Sequence, residues 1–269
     1  MYKDSPYEGF TWRKYFRSTA LSALIAVAWQ AAAGFELGAA WARLVLFGLT
    51  YVTERGLVEL YKTYLREEDQ SKYFIPMQFH VMGRVVHSRA VRWSVAAGWI
   101  VVVLGVGWGL RWLQGSGTGI RGWLAVVLIG SVGGWLSAFG GAFKDAPIEG
   151  FETFKFFRSP AVAASWAFVV SLFTSSWTAI AIAAEGFTVA SIETYKTFFF
   201  PNKPRGKFAG MPIRFPHFLR WRYRFAPLYA AIWAAIVVHL AIAFAQPRQG
   251  VVGGPAAPEA SAARTAAAR

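Results

Sequence analysis

Cysteine is absent from the 269-residue chain, which excludes disulfide bonds, thiol catalysis and cysteine-ligated metal sites. Charge is also scarce, because only 16% of the residues are Asp, Glu, Lys or Arg, against about 25% in a typical soluble domain. The charge that remains is one-sided, with 28 basic and 14 acidic residues. Hydrophobic residues make up 55% of the chain, so the composition favours a membrane protein over a soluble domain.

Long runs with little or no charge indicate transmembrane helices. Residues 122–143 and 160–184 contain no charged residue, and 91–110 contains only Arg92. About 20 residues in a helix, each rising 1.5 Å, cross ~30 Å of hydrocarbon. The pattern predicts an all-α, polytopic membrane helix bundle with about seven transmembrane helices. The predicted spans are 19–35, 38–60, 91–110, 122–142, 160–176, 178–197 and 226–246.

The fifth and sixth predicted spans, 160–176 and 178–197, are separated by a single residue, so little sequence is available for two crossings. Their sequence is compatible with two short helices joined by a tight turn. It is equally compatible with one helix followed by a re-entrant piece, so both alternatives stay open.

Basic residues predict the orientation of the chain in the membrane. Segments 1–18, 55–92, 144–158 and 196–224 hold 22 of the 28 Lys and Arg residues. Because cytoplasmic loops are rich in Lys and Arg, we expect a cytoplasmic N-terminus and an external C-terminus in the inner (plasma) membrane. The expected partners are the lipid bilayer, anionic lipid headgroups, and a second copy of the chain or a larger membrane complex. No nucleic-acid partner is expected, because topology accounts for the positive charge.

The chain also contains an internal repeat. Residues 3–18 read KDSPYEGFTWRKYFRS (motif 1) and residues 144–159 read KDAPIEGFETFKFFRS (motif 2), with ten identities in sixteen positions. A Glu-x-Tyr-Lys-Thr sequence recurs at Glu59 and Glu193. These matches predict two parallel three-helix repeats around a linker helix, a 3+1+3 arrangement with its axis along the membrane normal. The predicted units are repeat 1 (1–113), the linker transmembrane helix (114–142), repeat 2 (143–246) and a disordered tail (247–269).

Local geometry is predicted from proline and glycine. Pro6 and Pro147 are expected to favour turns within the two motifs, because proline restricts the residue before it. The linker helix carries Gly130 and Gly134 at the GxxxG spacing that permits close helix packing. Accidental spacing in a glycine-rich chain is the alternative.

Repeated carboxylates at the cytoplasmic face indicate a candidate site. Oxygen-rich clusters suit a Mg²⁺ ion shared with substrate phosphates, and Lys and Arg donors suit the phosphates themselves. Repeat 2 is preferred, because its basic loop lacks the acids Glu67, Glu68 and Asp69 that would repel an anion from repeat 1. The candidate catalytic residues are Asp145, Glu149, Glu193 and Lys196; the candidate substrate-binding residues are Lys203, Arg205, Lys207 and Arg158; and the hypothetical Mg²⁺ ligands are Asp145 and Glu149.

A structural interpretation of the same motifs is also open. Aromatic and basic residues form good interfacial anchors, and the carboxylates would then pair with nearby Arg17 and Arg158. Glu185 is the one acid well inside a predicted helix, which makes it a functional candidate by default. Its counterpart in repeat 1 is Tyr51, so the repeat does not support that role.

Three classes of function fit these features. The first is an enzyme that acts on a lipid phosphate or a lipid-linked nucleotide at the cytoplasmic membrane face. The second is a transporter or channel for a small solute, and the third is a non-catalytic subunit of a membrane complex. The sequence contains no HExxH, Walker A, Rossmann or serine-nucleophile motif that would decide between them.

Overall fold

Helices dominate the structure. The computed structural model describes residues 4–116, 122–204 and 206–252, which are 73% helix and 2% strand, so the predicted all-α fold is confirmed. In chain order the helices are α1 (Ser5–Glu8), α2 (Trp12–Ala33), α3 (Ala40–Leu60), α4 (Arg89–Gly115), α5 (Gly122–Ala138), α6 (Lys144–Glu149), α7 (Thr153–Val170), α8 (Trp177–Phe198), α9 (Phe218–Trp221) and α10 (Ala226–Ala245).

Shorter elements complete the backbone. A π-helical turn, Tyr61–Leu65, extends α3, and a second one, Phe139–Phe143, joins α5 to α6. Two 3₁₀ turns follow later, at Gly206–Phe208 and Arg222–Phe225. Strands β1 (His80–Val81) and β2 (Arg84–Val85) pair antiparallel in the loop after α3, with His80 opposite Val85 and Val81 opposite Arg84.

Three helical stretches of the described chain are long and apolar enough to cross a membrane: Arg89–Gly115, Trp123–Glu149 and Phe218–Ala245. Large apolar side chains on them remain exposed, as Leu104 and Trp108 of α4 illustrate. Such a surface fits contact with lipid, whereas in water it would be an aggregation hazard. The other four long helices do not combine length and apolar character to the same degree, so seven crossings stay a prediction.

Two separate helices, α7 and α8, form where the fifth and sixth spans are predicted, with residues 171–176 between them. Whether both of these helices cross the membrane or one is re-entrant stays open. Helix α7 begins at Thr153 rather than at 160, because the aromatic-basic end of motif 2 is itself helical. In the same way α2 begins at Trp12 rather than at 19, with the Thr11 side chain accepting a hydrogen bond from the backbone N–H of Lys14.

The core centres on α8, whose buried face includes Ala183, Ala184 and Phe187. This helix packs against α3, α5 and α7. Small residues permit the close approach, since a Cβ added to Gly186 would lie 2.1 Å from the carbonyl oxygen of Gly48 on α3. A helix of modest hydrophobicity thus occupies the centre, while the most apolar helices lie outside it.

Helix α5 packs against α7 through the predicted glycines. A Cβ on Gly130 would lie 1.9 Å from the Cβ of Ala167, and one on Gly134 would lie 2.5 Å from the Cα of Pro160. The prediction of close GxxxG packing is confirmed. Between them, Gly133 lies against Glu185 of α8, at 2.6 Å from a built Cβ to the Cβ of Glu185. Through these glycines, α5 packs closely against both α7 and α8.

The prolines of the two motifs lie inside helices, so the prediction of proline turns is wrong. Pro6 is in the first turn of α1, where an N–H would have no helical partner, and Pro147 is inside α6. The chain turns instead at Gly9 and Gly150, whose φ angles are 75° and 84°. Glycine adopts these positive φ angles without the strain that a Cβ would cause.

Candidate functional site

A cleft of about 160 Å³ lies between α5, α7 and α8. Helix α8 lines it with Glu185, Thr188, Glu193 and Lys196, among others. Together with Val189 and Ile192, which also line the cleft, these residues follow one another at helical spacings of three or four, so they share one face of the helix. At 1.5 Å per residue, the lined part extends about 16 Å along α8, from Lys196 near its end to Glu185. We call this space the α5–α7–α8 cleft.

Helix α7 lines the cleft with Lys155, Arg158 and Ser159, again at helical spacing. The third wall comes from Ser137 at the end of α5 and from Gly141 in the π-helical turn that follows. π-helical turns widen the backbone locally and are frequent at functional sites. Ser137 and Gly141 lie in the predicted linker (114–142), which is outside both repeats, so repeat 1 has no matching wall.

Three cations surround the cleft. Lys155 forms an ion pair with Glu149 of motif 2, and Lys196 lies 3.7 Å from the carboxylate of Glu193. Arg158 is half-buried, and its Nε is buried without a hydrogen-bond partner. A buried N–H donor without a partner is costly, and an anionic oxygen would satisfy it. The arrangement therefore suits a phosphate or another oxyanion.

Glu185 marks the deep end of the cleft. Its side chain is 93% buried, since the residue is 7% exposed, and the hydroxyl of Ser137 donates a hydrogen bond to Oε1. The other carboxyl oxygen, Oε2, is buried with no hydrogen-bond partner. The neighbouring Thr188 hydroxyl is engaged, because it donates to the carbonyl of Ala184 over 2.7 Å. One free acceptor thus remains at this end.

The sequence-predicted residues separate into two groups. Arg158, Glu193 and Lys196 line the cleft, and Glu149 contacts it through Lys155. Asp145 faces other groups: its Oδ1 lies 3.3 Å from Lys144 Nζ and 3.5 Å from His80 Nε2.

The hypothetical Mg²⁺ site with Asp145 and Glu149 as ligands stays a prediction. In residues 4–116, 122–204 and 206–252, no group of three or more His, Cys, Asp or Glu side chains is arranged to hold a metal ion. Asp145 and Glu149 instead lie beside Lys144 and Lys155. No chemical step is therefore assigned to a metal.

The basic loop of repeat 2 contacts motif 1 rather than the cleft. Lys207 Nζ lies 3.1 Å from Asp4 Oδ2 and 3.1 Å from Glu8 Oε1, and the lysine side chain is only 13% exposed. The backbone N–H groups of Arg214 and Phe215 donate to the carbonyl of Pro6. Of the other candidates in this loop, Lys203 is exposed, and Arg205 lies outside the described residues. The expected pairing of the motif carboxylates with Arg17 and Arg158 gives way to pairing with lysines.

The loop of repeat 1 makes the reciprocal contact with motif 2. His80 lies beside Asp145 in this contact. Gly83 packs on Ile148, with 3.3 Å from a Cβ built on Gly83 to the Ile148 side chain. Tyr73 links the two loops to motif 1, because its hydroxyl lies 3.2 Å from Glu8. Burial raises the pKa of Tyr73, and the neighbouring carboxylates of Glu8 and Glu68 raise it further, so the phenol stays a neutral donor.

Two of the acids expected to repel anions from repeat 1 form ion pairs with neighbouring Arg and Lys side chains. Glu67 accepts hydrogen bonds from Arg89 at 2.7 Å and 3.0 Å and from Arg92 at 2.9 Å. These bonds lower the pKa of Glu67 to about 2. Glu68 pairs with Arg66 at 2.6 Å and with Lys72. Their negative charge is therefore largely neutralised.

Sequence reasoning missed Lys155 and Ser137 and set Glu185 aside. The i, i+3 spacing of Lys155 and Arg158 was the available signal for one shared face. Nothing in the sequence indicated Ser137, because its role depends on how α5 packs on α8. Comparison with protein-family models, curated proteins and solved structures finds no match for the chain.

Proposed function

We propose that the chain is a multi-pass membrane enzyme that binds the phosphate of a lipid headgroup in the α5–α7–α8 cleft and acts on it there. The observation that carries the proposal is the half-buried Arg158, with an unsatisfied Nε, in a cleft also lined by Lys155 and Lys196. Three cations facing one small space favour a ligand with concentrated negative charge. In phosphoryl transfer they would also stabilise the charge that develops in the transition state.

Roles follow from position in the cleft. Arg158 and Lys196 are proposed to contact the phosphate, and Glu149 to position Lys155 through their ion pair. Glu193 lies on the cleft face of α8 beside Lys196 and is the proposed general base. Asp145 is proposed to hold the repeat 1 loop through His80 rather than to contact substrate.

The topology is part of the proposal. Seven crossings in a 3+1+3 arrangement, with the cleft at the cytoplasmic face, are supported by long helices in all seven apolar ranges. The parallel repeat is supported by the matched helices that end at Gly9 and Gly150 and by the reciprocal loop contacts. A cytoplasmic cleft would receive phosphates from the inner leaflet of the plasma membrane.

Transport is the second candidate, and one observation favours it: each motif contacts the loop of the other repeat, as two halves of a gate would. The extent of the cleft favours the enzyme, because it covers about 16 Å of a helix that is about 33 Å long. A space confined to one end suits a binding site better than a continuous path. Transfer of unchanged lipid between leaflets by the reconstituted chain would support transport, and a chemically inert chain that co-purifies with other subunits would support the third class.

The binding test compares matched positions in the two repeats. Arg158→Gln should weaken binding of dioctanoyl phosphatidic acid at least about tenfold, the equivalent of about 1.4 kcal/mol. Its counterpart Arg17 is exposed and lines no part of the cleft, so Arg17→Gln should change the affinity by less than about twofold. Native mass spectrometry of the purified full chain measures both affinities. Equal effects of the two changes would refute the proposal.

The enzymatic part has a separate readout. Glu193→Gln should leave phosphatidic acid bound while abolishing release of inorganic phosphate from it, because the change removes a base and keeps the cations. The Glu59→Gln variant is the matched control in repeat 1 and should retain turnover. Turnover that survives Glu193→Gln would remove Glu193 from the mechanism.

A further inference from the structure

The α5–α7–α8 cleft carries groups of both charges, with Lys155, Arg158 and Lys196 as cations and Glu185 as a carboxyl. Glu185 carries a buried acceptor, Oε2, that no group in the described part of the chain satisfies. Glu185 lines the cleft and is more than nine-tenths buried, and a buried acceptor in this position needs a donor from elsewhere. Arg158 does not meet this need, because neither an ion pair nor a hydrogen bond joins it to Glu185 among the described residues.

The packing of α5 shows that Arg158 and Glu185 lie at similar depth along the helices. Consecutive glycines of α5 lie against the two other helices: Gly133 against Glu185 of α8, and Gly134 against the carbonyl oxygen of Ser159 on α7. Arg158 precedes Ser159, so the backbones of Arg158 and Glu185 lie at nearly one level, within about one helical turn of 5.4 Å. One side of the cleft is therefore cationic and the other carries a carboxyl, with open space between them.

We propose that this pair of groups selects a zwitterionic headgroup, one that carries a phosphate and a primary ammonium a few bonds apart. The phosphate contacts Arg158, and the ammonium donates to Oε2 of Glu185. Ser137 is a positioning residue, because its hydrogen bond to Oε1 fixes the orientation of the carboxyl group. This inference rests on the proposed function for its phosphate and adds the chemical class of the rest of the headgroup.

The alternative chemistries differ in what they would leave unpaired. A bare phosphate monoester would satisfy Arg158 and leave Oε2 without a donor. A glycerol headgroup would donate one neutral hydroxyl, a weaker partner for a carboxylate than a charged ammonium. The preference among the three headgroups therefore reports on Glu185 rather than on Arg158.

The experiment titrates the purified full chain with three dioctanoyl lipids, phosphatidylethanolamine, phosphatidic acid and phosphatidylglycerol, in native mass spectrometry. The unmodified chain should bind phosphatidylethanolamine at least about tenfold more tightly than the other two, the equivalent of about 1.4 kcal/mol. Glu185→Gln keeps the size of the side chain and removes its charge, and it should abolish that preference without weakening phosphatidic acid. Ser137→Ala should reduce the preference severalfold, and it serves as the test variant if Glu185→Gln does not give a monodisperse protein.

Two results would overturn the inference: a wild-type preference for phosphatidic acid or phosphatidylglycerol, or an ethanolamine preference that persists when Glu185 or Ser137 is changed. The failure of the proposed function looks different. In that case Arg158→Gln leaves all three affinities unchanged, whatever Glu185→Gln does.

Discussion

The close contact between α5 and α7 gives the sharpest test of the fold that forms the cleft. In the change Gly130→Ala, the new Cβ would lie 1.9 Å from the Cβ of Ala167, which is fully buried. Non-bonded carbons prefer about 3.5–4.0 Å, so the two helices would have to separate by about 1.6 Å or more. Overpacking of a tight core costs about 1–3 kcal/mol, and so deep a clash belongs at the upper end.

Helix propensity opposes part of this loss, because alanine is better than glycine by about 1 kcal/mol in a helix interior. The expected net destabilisation for Gly130→Ala is therefore about 2 kcal/mol, or a fall in the midpoint of thermal unfolding of about 4–8 °C for a chain of this size. Thermal unfolding of the detergent-purified protein, followed by tryptophan fluorescence, measures it. Gly105→Ala in α4 is the control: no atom lies within 4 Å of the added Cβ, so stability should be unchanged or rise by up to about 1 kcal/mol.

A size swap isolates the contact itself. In the double variant Gly130→Ala with Ala167→Gly, the clashing Cβ is removed and the nearest remaining atom, the Cα of residue 167, lies 3.4 Å away. The propensity effects nearly cancel, because one helix gains an alanine and the other loses one. The double variant should recover most of the lost stability, which a double-mutant cycle reports as a favourable coupling. A neutral Gly130→Ala, or no recovery in the double variant, would refute the packing of α5 on α7.

Two further predictions concern the face that is proposed to be cytoplasmic. Lys207→Gln should destabilise the protein by about 1.5–3 kcal/mol, because it leaves the two carboxylates of motif 1 without their shared cation. The control Lys203→Gln, at an exposed lysine, should change stability by less than about 0.5 kcal/mol. Equal effects of the two changes in thermal unfolding would contradict the contact between the repeat 2 loop and motif 1. Single cysteines test the orientation with a membrane-impermeant thiol reagent. Cysteines at Ser71 and Asn202 should react only from the cytoplasmic side and one at Ser116 only from outside, and labelling of Ser116 from the cytoplasm alone would reverse the proposed topology.

Much of the fold was predictable from the sequence because apolar runs report helices directly. The long helices and the close contact at Gly130 and Gly134 follow from run length and from small-residue spacing. The ends of α2 and α7 were not predictable in the same way. Their aromatic-basic turns are helical but polar, so hydropathy places the start of each helix too late.

The candidate site was predictable only in part. Arg158, Glu193 and Lys196 were identified as residues of interest, and the structure brings them to one cleft. Lys207 was expected beside them but lies with Asp4 and Glu8, because the loop of repeat 2 crosses to motif 1. A repeat in sequence reveals which segments correspond, but it does not reveal whether a loop packs on its own copy or on the other.

The sequence by itself determined that the chain is helical and apolar, that its charge lies between the apolar runs, and that two segments share one motif. These properties are local, since each depends on residues close together along the chain. Only the tertiary structure decided that Glu185 belongs to a site. Its neighbours Ser137 and Gly133 come from a helix about fifty residues earlier, and its carboxyl group is buried with one oxygen unpaired because α5 packs against α8. A carboxyl acquires such a role from the groups that packing places around it, and a single sequence does not contain that information.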